Sequence, residues 1–170
     1  MINLIVCHSR NMVIGQNNKI PWFCLEDLQF FKNKTKNHPI LMGNNTFKSL
    51  PRILPDRLHC VLTKDTSNVS TDSRVLFFND FEKMINFAQN YDPEIFIIGG
   101  NSLFCAALNT YADRLFVNVI GIDVEPNEHT VFFPKIDKGL YILDKSEKIE
   151  TNQFDLMSYQ YTKINQSSNY

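Results

Sequence analysis

Three short runs of almost unbroken apolar side chains constrain this chain most tightly: Ile2 to Cys7, Pro39 to Met42 and Glu94 to Ile98. Each is too short for a buried helix and rich in aliphatic residues. Each therefore predicts a strand covered on both faces, as in a parallel sheet beneath helices. Leu58 to Thr63, Arg74 to Phe78 and Arg114 to Ile120 read as further strands, with Tyr141 to Asp144 and Asp155 to Thr162 as an antiparallel pair at the end. Helical spacing falls between them. Leu25 to Thr35 sets Leu28, Phe31 and Thr35 on one stripe, Asn44 to Leu50 stops at Pro51, and Asn101 to Asn109 follows a double glycine. Asn79 with Glu82 resembles a capping box ahead of Phe81, Met84, Ile85 and Ala88. Strand, helix, strand in this rhythm predicts an α/β sandwich. Its central sheet is mainly parallel with an antiparallel C-terminal pair, helices cover both faces, and the crossovers are right-handed.

A length of 170 residues suits one domain, assigned to residues 1–163, with a polar tail over residues 164–170. Seventeen Lys plus Arg against eighteen Asp plus Glu leave a net charge of -1. That balance argues against nucleic acid or an anionic membrane surface as the main partner, since both demand clustered positive charge. The stretch Ile95 to Leu108 is broken by Gly99, Gly100, Asn101 and Ser102, so it cannot span a bilayer, and MINLIVCHSR lacks the basic flank of a signal peptide. The four cysteines form no CxxC pair, and Cys7, Cys60 and Cys105 sit in apolar runs as expected buried thiols. His8, His38, His59 and His129 are scattered, with His38 and His59 flanking strands, and no metal site is expected. The expectation is a cytoplasmic monomer.

Six glycines make neither GxGxxG nor GxxxxGK[ST], which excludes the usual dinucleotide fingerprint and the P-loop. Two other strand-to-helix junctions remain as phosphate sites: Met42-Gly43-Asn44-Asn45-Thr46 and Ile98-Gly99-Gly100-Asn101-Ser102. At each, free backbone N–H groups and the positive end of a helix dipole point outward, and glycine lets an anion come close. Two such junctions in one small sheet suit a dinucleotide; either alone also reads as an ordinary helix cap. Thr63-Lys64 ends another strand with a hydroxyl and a cation. Asp27 shares a helix face with Phe31, so its pKa is expected to rise, and its carboxylate suits the two-pronged edge of a guanidine-like ligand. It equally suits a solvated first-turn carboxylate favoured by the helix dipole. Arg52 and Arg57 bracket a short loop, and either could grip a substrate carboxylate through its planar fork.

Taken in order, these residues resemble the dihydrofolate reductase family. The matching pieces begin with Ile2-Asn3-Leu4-Ile5-Val6, Val13-Ile14-Gly15, Ile20-Pro21-Trp22, Asp27-Leu28 and Phe31-Lys32. They continue through Pro39-Ile40-Leu41-Met42-Gly43, Thr46-Phe47, Ser49-Leu50-Pro51 and Leu54-Pro55-Asp56-Arg57 to Ile97-Ile98-Gly99-Gly100 and Phe132-Phe133-Pro134. The resemblance spans roughly residues 1–163 and implies hydride transfer from NADPH to 7,8-dihydrofolate, at a site that also takes antifolate inhibitors. It assigns Asp27, with Trp22 beside it, to orienting the pterin and assisting protonation of N5. Backbone carbonyls of Ile5 and Ile98 would line the pterin pocket, with Leu28, Phe31 and Leu50 as apolar walls. Arg57 matches the arginine that pairs with the glutamate α-carboxylate, and Arg52 lies near the tail. Cys7 and Ile14 would hold the nicotinamide carboxamide, and Gly15 to Ile20, including Lys19, corresponds to a loop that closes over it. The remaining cofactor contacts would come from Gly43, Asn44, Asn45, Thr46, Thr63, Lys64, Gly99, Gly100, Asn101, Ser102, Leu103 and Phe104.

Some positions depart from the family pattern. Asn44 and Ser102 stand where basic residues are common, Phe104 where a tyrosine is usual, and Phe47 where a tryptophan is. Asn118 replaces the threonine that hydrogen-bonds the acidic residue. Two other functions stay in view: a pteridine or flavin-precursor reductase of the same fold, and a non-catalytic folate-binding or structural relative.

Overall fold

The computed structural model describes residues 1–65, 67 and 70–165, and the larger part of the assigned tail, residues 166–170, lies outside them. In chain order the strands are β1 (Ile2–Ser9), β2 (Val13–Gln16), β3 (Ile40–Gly43), β4 (His59–Leu62), β5 (Val75–Phe78), β6 (Ile95–Gly99), β7 (Arg114–Ile120), β8 (Thr130–Phe132), β9 (Tyr141–Ile149) and β10 (Leu156–Lys163). The helices are α1 (Leu25–Thr35), α2 (Asn44–Ser49), α3 (Phe81–Tyr91) and α4 (Asn101–Ala106). Eight strands form one sheet in the order β5-β4-β3-β6-β1-β7-β10-β9, and β2 pairs with β8 as a separate ribbon. From β5 to β7 all neighbours run parallel; β10 is antiparallel to β7 and to β9. No helix among the described residues is long and apolar enough to cross a membrane.

Strand alternation sends side chains to two cores. Leu4, Val6, Leu41, Ile95 and Ile97 face α3 and α4, whereas Ile5, Ile40, Met42, Phe96 and Phe116 face α1 and α2. Both faces are therefore apolar, which is why the three diagnostic runs do not alternate with polar residues. A fully buried aliphatic side chain contributes about 1.5–3 kcal/mol, so these central strands hold the frame on which the loops depend.

Several local expectations are corrected. The α3 cap is Asp80, not Asn79: the helix begins at Phe81, and the Asp80 side chain accepts from the Lys83 amide at 2.9 Å. The helix expected over Asn101 to Asn109 keeps α geometry only to Ala106, then widens into a π turn over Ala107–Tyr111. There the single Tyr141 hydroxyl proton is shared between the carbonyls of Leu108 and Ala112, at 2.8 and 3.1 Å, at the widened end. The stripe along α1 is not uniformly buried, since Thr35 is buried while Leu28 is 45% exposed. Cys60 is buried as expected, but Cys7 and Cys105 are only half-buried, and Cys24, outside any apolar run, is buried. Strands β2 and β8 were not expected, and β9 continues to Ile149, well past Asp144. Ile164, the first residue of the assigned tail, is tied down, donating its amide to Leu140 at 2.8 Å.

Candidate active site

A single cleft of about 1950 Å³ runs across the carboxyl ends of the parallel strands. That is the edge where α/β sheets place ligands. Every residue assigned a site role from the sequence lies on its wall, from Ile5 and Cys7 on β1 to Asn118 on β7. The volume exceeds the 300–1,000 Å³ typical of one small ligand, so it has room for two.

Asp27 is the third residue of α1, facing the ends of β1 and β7. Its carboxylate accepts from Asn118 Nδ2 at 2.8 Å. Cys7 and Asn118 sit opposite each other in the parallel ladder, so the carboxylate meets both side chains. Burial pushes the Asp27 pKa up, while the bonds from Asn118 and the Cys7 thiol pull it back down. Burial, reinforced by the neighbouring Asp27, pushes the Cys7 thiol far up, so Cys7 stays protonated and serves as a donor. The first-turn dipole position expected of a solvated carboxylate is present, but the environment is not a solvated one. A half-buried carboxylate held by two donors and open to a cleft can take a paired N–H edge and regulate its protonation.

Beyond Asp27, the walls are Ile5, Leu28, Phe31, Leu50 and Ile98, an apolar slot of aliphatic and aromatic side chains. Arg57 closes its far end. Only 6% exposed, it donates from Nε to the Pro55 carbonyl at 2.9 Å and from a terminal nitrogen to Thr35 Oγ1 at 3.2 Å. Thr35 in turn donates to the Phe31 carbonyl at 2.8 Å. The guanidinium is thus set in place by α1, whereas Arg52 is exposed on the rim.

On the opposite side the two glycine junctions meet, because β3 and β6 are neighbours in the sheet. A Cβ on Gly43 would lie 3.9 Å from the Gly100 nitrogen, and one on Gly100 would lie 3.5 Å from Thr46 Oγ1. Gly99 has φ +133°, a conformation that only glycine adopts without strain. Neither α2 nor α4 carries a side-chain cap, so their first N–H groups remain open to the cleft. Phe104 is buried edge-on against Phe133, with centroids 5.3 Å apart, beneath the same cradle. Asn101 reaches across to β8, donating to the Phe132 carbonyl at 2.7 Å. Thr63 is buried and accepts the Asp65 amide at 3.2 Å, leaving its own proton free to donate, while Lys64 is exposed.

The loop from Gly15 to Ile20 folds back on itself. Gln16 and Lys19 exchange backbone bonds of 2.8 and 3.1 Å around Asn17 and Asn18, whose φ values are 53° and 60°. Two left-handed central residues give the tight turn that asparagine tolerates best. Ile20 projects from it, 60% exposed.

From the sequence, no site role falls to Phe23, Cys24, Asp65, Asn79 or the segment Glu128 to Val131, all of which line the cleft. The last of these arrives through the β2–β8 ribbon, whose strands are too short to carry a periodic signal. Cys24 was findable as the residue just before α1.

A family model described as dihydrofolate reductase matches residues 1–166. A dihydrofolate reductase of Ureaplasma parvum serovar 3 is 35% identical over 156 residues, covering 92% of this chain and 87% of the relative. That of Bacillus subtilis (strain 168) is 34% identical over 170 residues, covering 98% and 97%. Among solved structures, a dihydrofolate reductase from Enterococcus faecalis complexed with NADP(H) and RAB-propyl superposes with a TM-score of 0.86 at 26% identity, covering 96% of each chain.

Proposed function

The chain belongs to the dihydrofolate reductase family, and from that premise we propose that its cleft reduces 7,8-dihydrofolate to tetrahydrofolate with NADPH, Asp27 acting on the pterin. One observation carries the assignment: a half-buried carboxylate, held by Asn118 at 2.8 Å, shares a cleft with two abutting glycine cradles. The cradles, the open N–H groups of α2 and α4, and the hydroxyl of Thr63 with the ammonium of Lys64 fit a phosphate-bearing dinucleotide. Bound there, NADPH supplies the hydride.

The chain's own residues do the rest. Asp27 accepts the amino and ring N–H groups of the pterin, which fixes the ring in the slot and favours protonation at N5. Trp22 and the loop from Gly15 to Ile20, with Lys19 and Ile20, exclude water from one side. Ile5 and Ile98 offer carbonyls to the pterin edge, and Leu28, Phe31 and Leu50 pack its faces. Arg57 pairs with the glutamate α-carboxylate of the substrate tail, with Arg52 adding positive charge at the rim. Cys7 and Ile14 hold the carboxamide of the nicotinamide. Gly43 to Thr46 and Gly99 to Phe104 take the phosphates and the ribose between them. The reading includes a monomer working in the cytoplasm; the four free cysteines, which a reducing compartment keeps as thiols, support the location.

The test is the absorbance of NADPH followed with purified protein, with and without dihydrofolate. Oxidation only when dihydrofolate is present supports the reading. Oxidation with another pteridine or a flavin precursor but not with dihydrofolate replaces it, and no oxidation with tight folate binding marks a binding protein.

A further inference from the structure

His59 opens β4, is wholly buried, and uses both ring nitrogens on the loop that carries Arg57. Its Nε2 accepts the Leu54 amide at 3.0 Å, and its Nδ1 bonds the Arg57 carbonyl at 3.0 Å. A carbonyl can only accept, so Nδ1 carries the hydrogen and the ring is neutral with one fixed tautomer. The imidazole therefore staples the two ends of Leu54-Pro55-Asp56-Arg57 to the sheet. Within that loop Asp56 sits at φ 59°, and its carbonyl accepts the Asn37 amide at 2.8 Å. Pro55 supplies the carbonyl that receives Arg57 Nε. Holding the ring from the side, Phe47 of α2 meets it edge-on at 6.3 Å.

We propose that His59, in its neutral form, is the positioning residue for Arg57 and so sets the strength with which the protein holds the carboxylate tail of its substrate. The inference rests on the reading of Arg57 given above. His59 touches no substrate. It acts only by keeping the loop, and with it the guanidinium, in one place. A second proton on the ring would turn Nε2 from acceptor to donor and set it against the Leu54 N–H, so the staple opens when His59 charges. Burial lowers the His59 pKa; the bonds to the Arg57 and Arg74 carbonyls push it back up, and the charges of Arg57 and Arg74 lower it again, leaving it below the ordinary histidine value. Asp72 is the carboxylate that also feels the ring, and it is itself engaged by Arg74 at 2.6 Å. Phe47, from α2, brings no charge. The neutral staple is therefore the form near pH 7, and it fails as the solution turns acid.

The test measures binding of folate and of pteroate, which lacks the glutamate, by quenching of the single tryptophan, Trp22, in the cleft. The ratio of the two affinities isolates the tail. His59→Leu is expected to lower the folate-to-pteroate ratio by about tenfold, the upper scale of one lost hydrogen bond, and to add nothing in an Arg57→Leu background. His59→Asn, which keeps a donor and an acceptor without a titratable ring, restores most of the ratio. In the wild type the ratio declines as the pH is lowered below the ordinary histidine value of about 6.5, and in His59→Asn that decline disappears. A ratio that is flat with pH in the wild type, or equal weakening of both ligands by His59→Leu, overturns the proposal while leaving the function of the cleft intact. If Arg57→Leu itself leaves the ratio unchanged, the tail assignment of Arg57 falls, and this inference with it.

Discussion

At the scale of single residues, Asp27 is costly to the fold in the state its assigned role requires. Its pKa is raised by burial, so the ionised form is less stable in the folded chain than in the unfolded one. The sign follows: the residue's contribution to stability is fullest below the unfolded carboxylate value of about 3.9 and is lost as pH rises through the raised folded value. Asp27→Asn removes the charge, keeps the shape and lets the side chain still bond Asn118. The variant is expected to melt at a higher temperature than the wild type at pH 7 to 8, with the gap closing as the pH is lowered toward 4. Thermal unfolding across that range checks it. Asp27 itself was legible, because a carboxylate three residues into a helix and four before Phe31 has to face the sheet or the dipole. The structure decides between these by showing its partners. Spacing alone could not bring in Asn118, over ninety residues further on, since that pairing depends on the strand order; only the family resemblance placed it beside the acid, and it bonds Asp27 at 2.8 Å.

At the scale of elements, the two glycine junctions were each weak alone and gain meaning from adjacency. Sequence spacing marked Gly43 and Gly99-Gly100 as strand ends, but only the pairing of β3 with β6 brings them within van der Waals reach. Gly99 is the less replaceable, with φ at +133°. Gly99→Ala is expected to destabilise the protein by about 1–3 kcal/mol, read as a lower urea midpoint, and to raise the KM for NADPH as the cradle shifts. On the cofactor site proposed above, the edge that would distinguish NADPH from NADH is thin: Asn44 and Ser102 bring no charge, and Asp65 on the same wall would oppose a phosphate. Lys64→Ala should raise the KM for NADPH by up to about fivefold, the scale of one exposed ion pair, and leave that for NADH nearly unchanged. Equal effects on both cofactors would move the 2′-phosphate elsewhere. Two of the misread elements share a cause. The π turn after Ala106 and the β2–β8 ribbon are settled by contacts with distant segments such as Tyr141 and Asn101, whereas the Asp80 cap is a local bond to Lys83, one residue along from the capping pair that the spacing suggested.

At the scale of the whole molecule, the parallel strands were readable because burial on both faces leaves an unmistakable composition, whereas their order was not. The largely exposed strand β9 shows the limit: its polar stretch from Asp144 to Lys148 hides a strand that only pairing with β10 reveals. The completed sheet buries two neutral imidazoles far apart, His8 stacked on Phe133 at 5.6 Å and His59 against Phe47. Both have pKa values lowered first by burial. Their stabilisation is present above the unfolded histidine value of about 6.5 and is lost as pH falls through the lower folded values. On going from pH 7 to pH 5 the two histidines are therefore expected to pull the urea midpoint down, against the opposite pull of Asp27. His8→Phe, which keeps the stack without the titration, should hold its midpoint better than the wild type over that range. All these features converge on one cleft, in which the half-buried Asp27 is proposed to govern proton supply to the pterin. The most direct measurement is kcat/KM for dihydrofolate with NADPH at neutral pH in the wild type and in Asp27→Asn. A fall of at least ~10²-fold, the lower end of general acid–base effects, is the predicted result; near-normal turnover by the variant would contradict it.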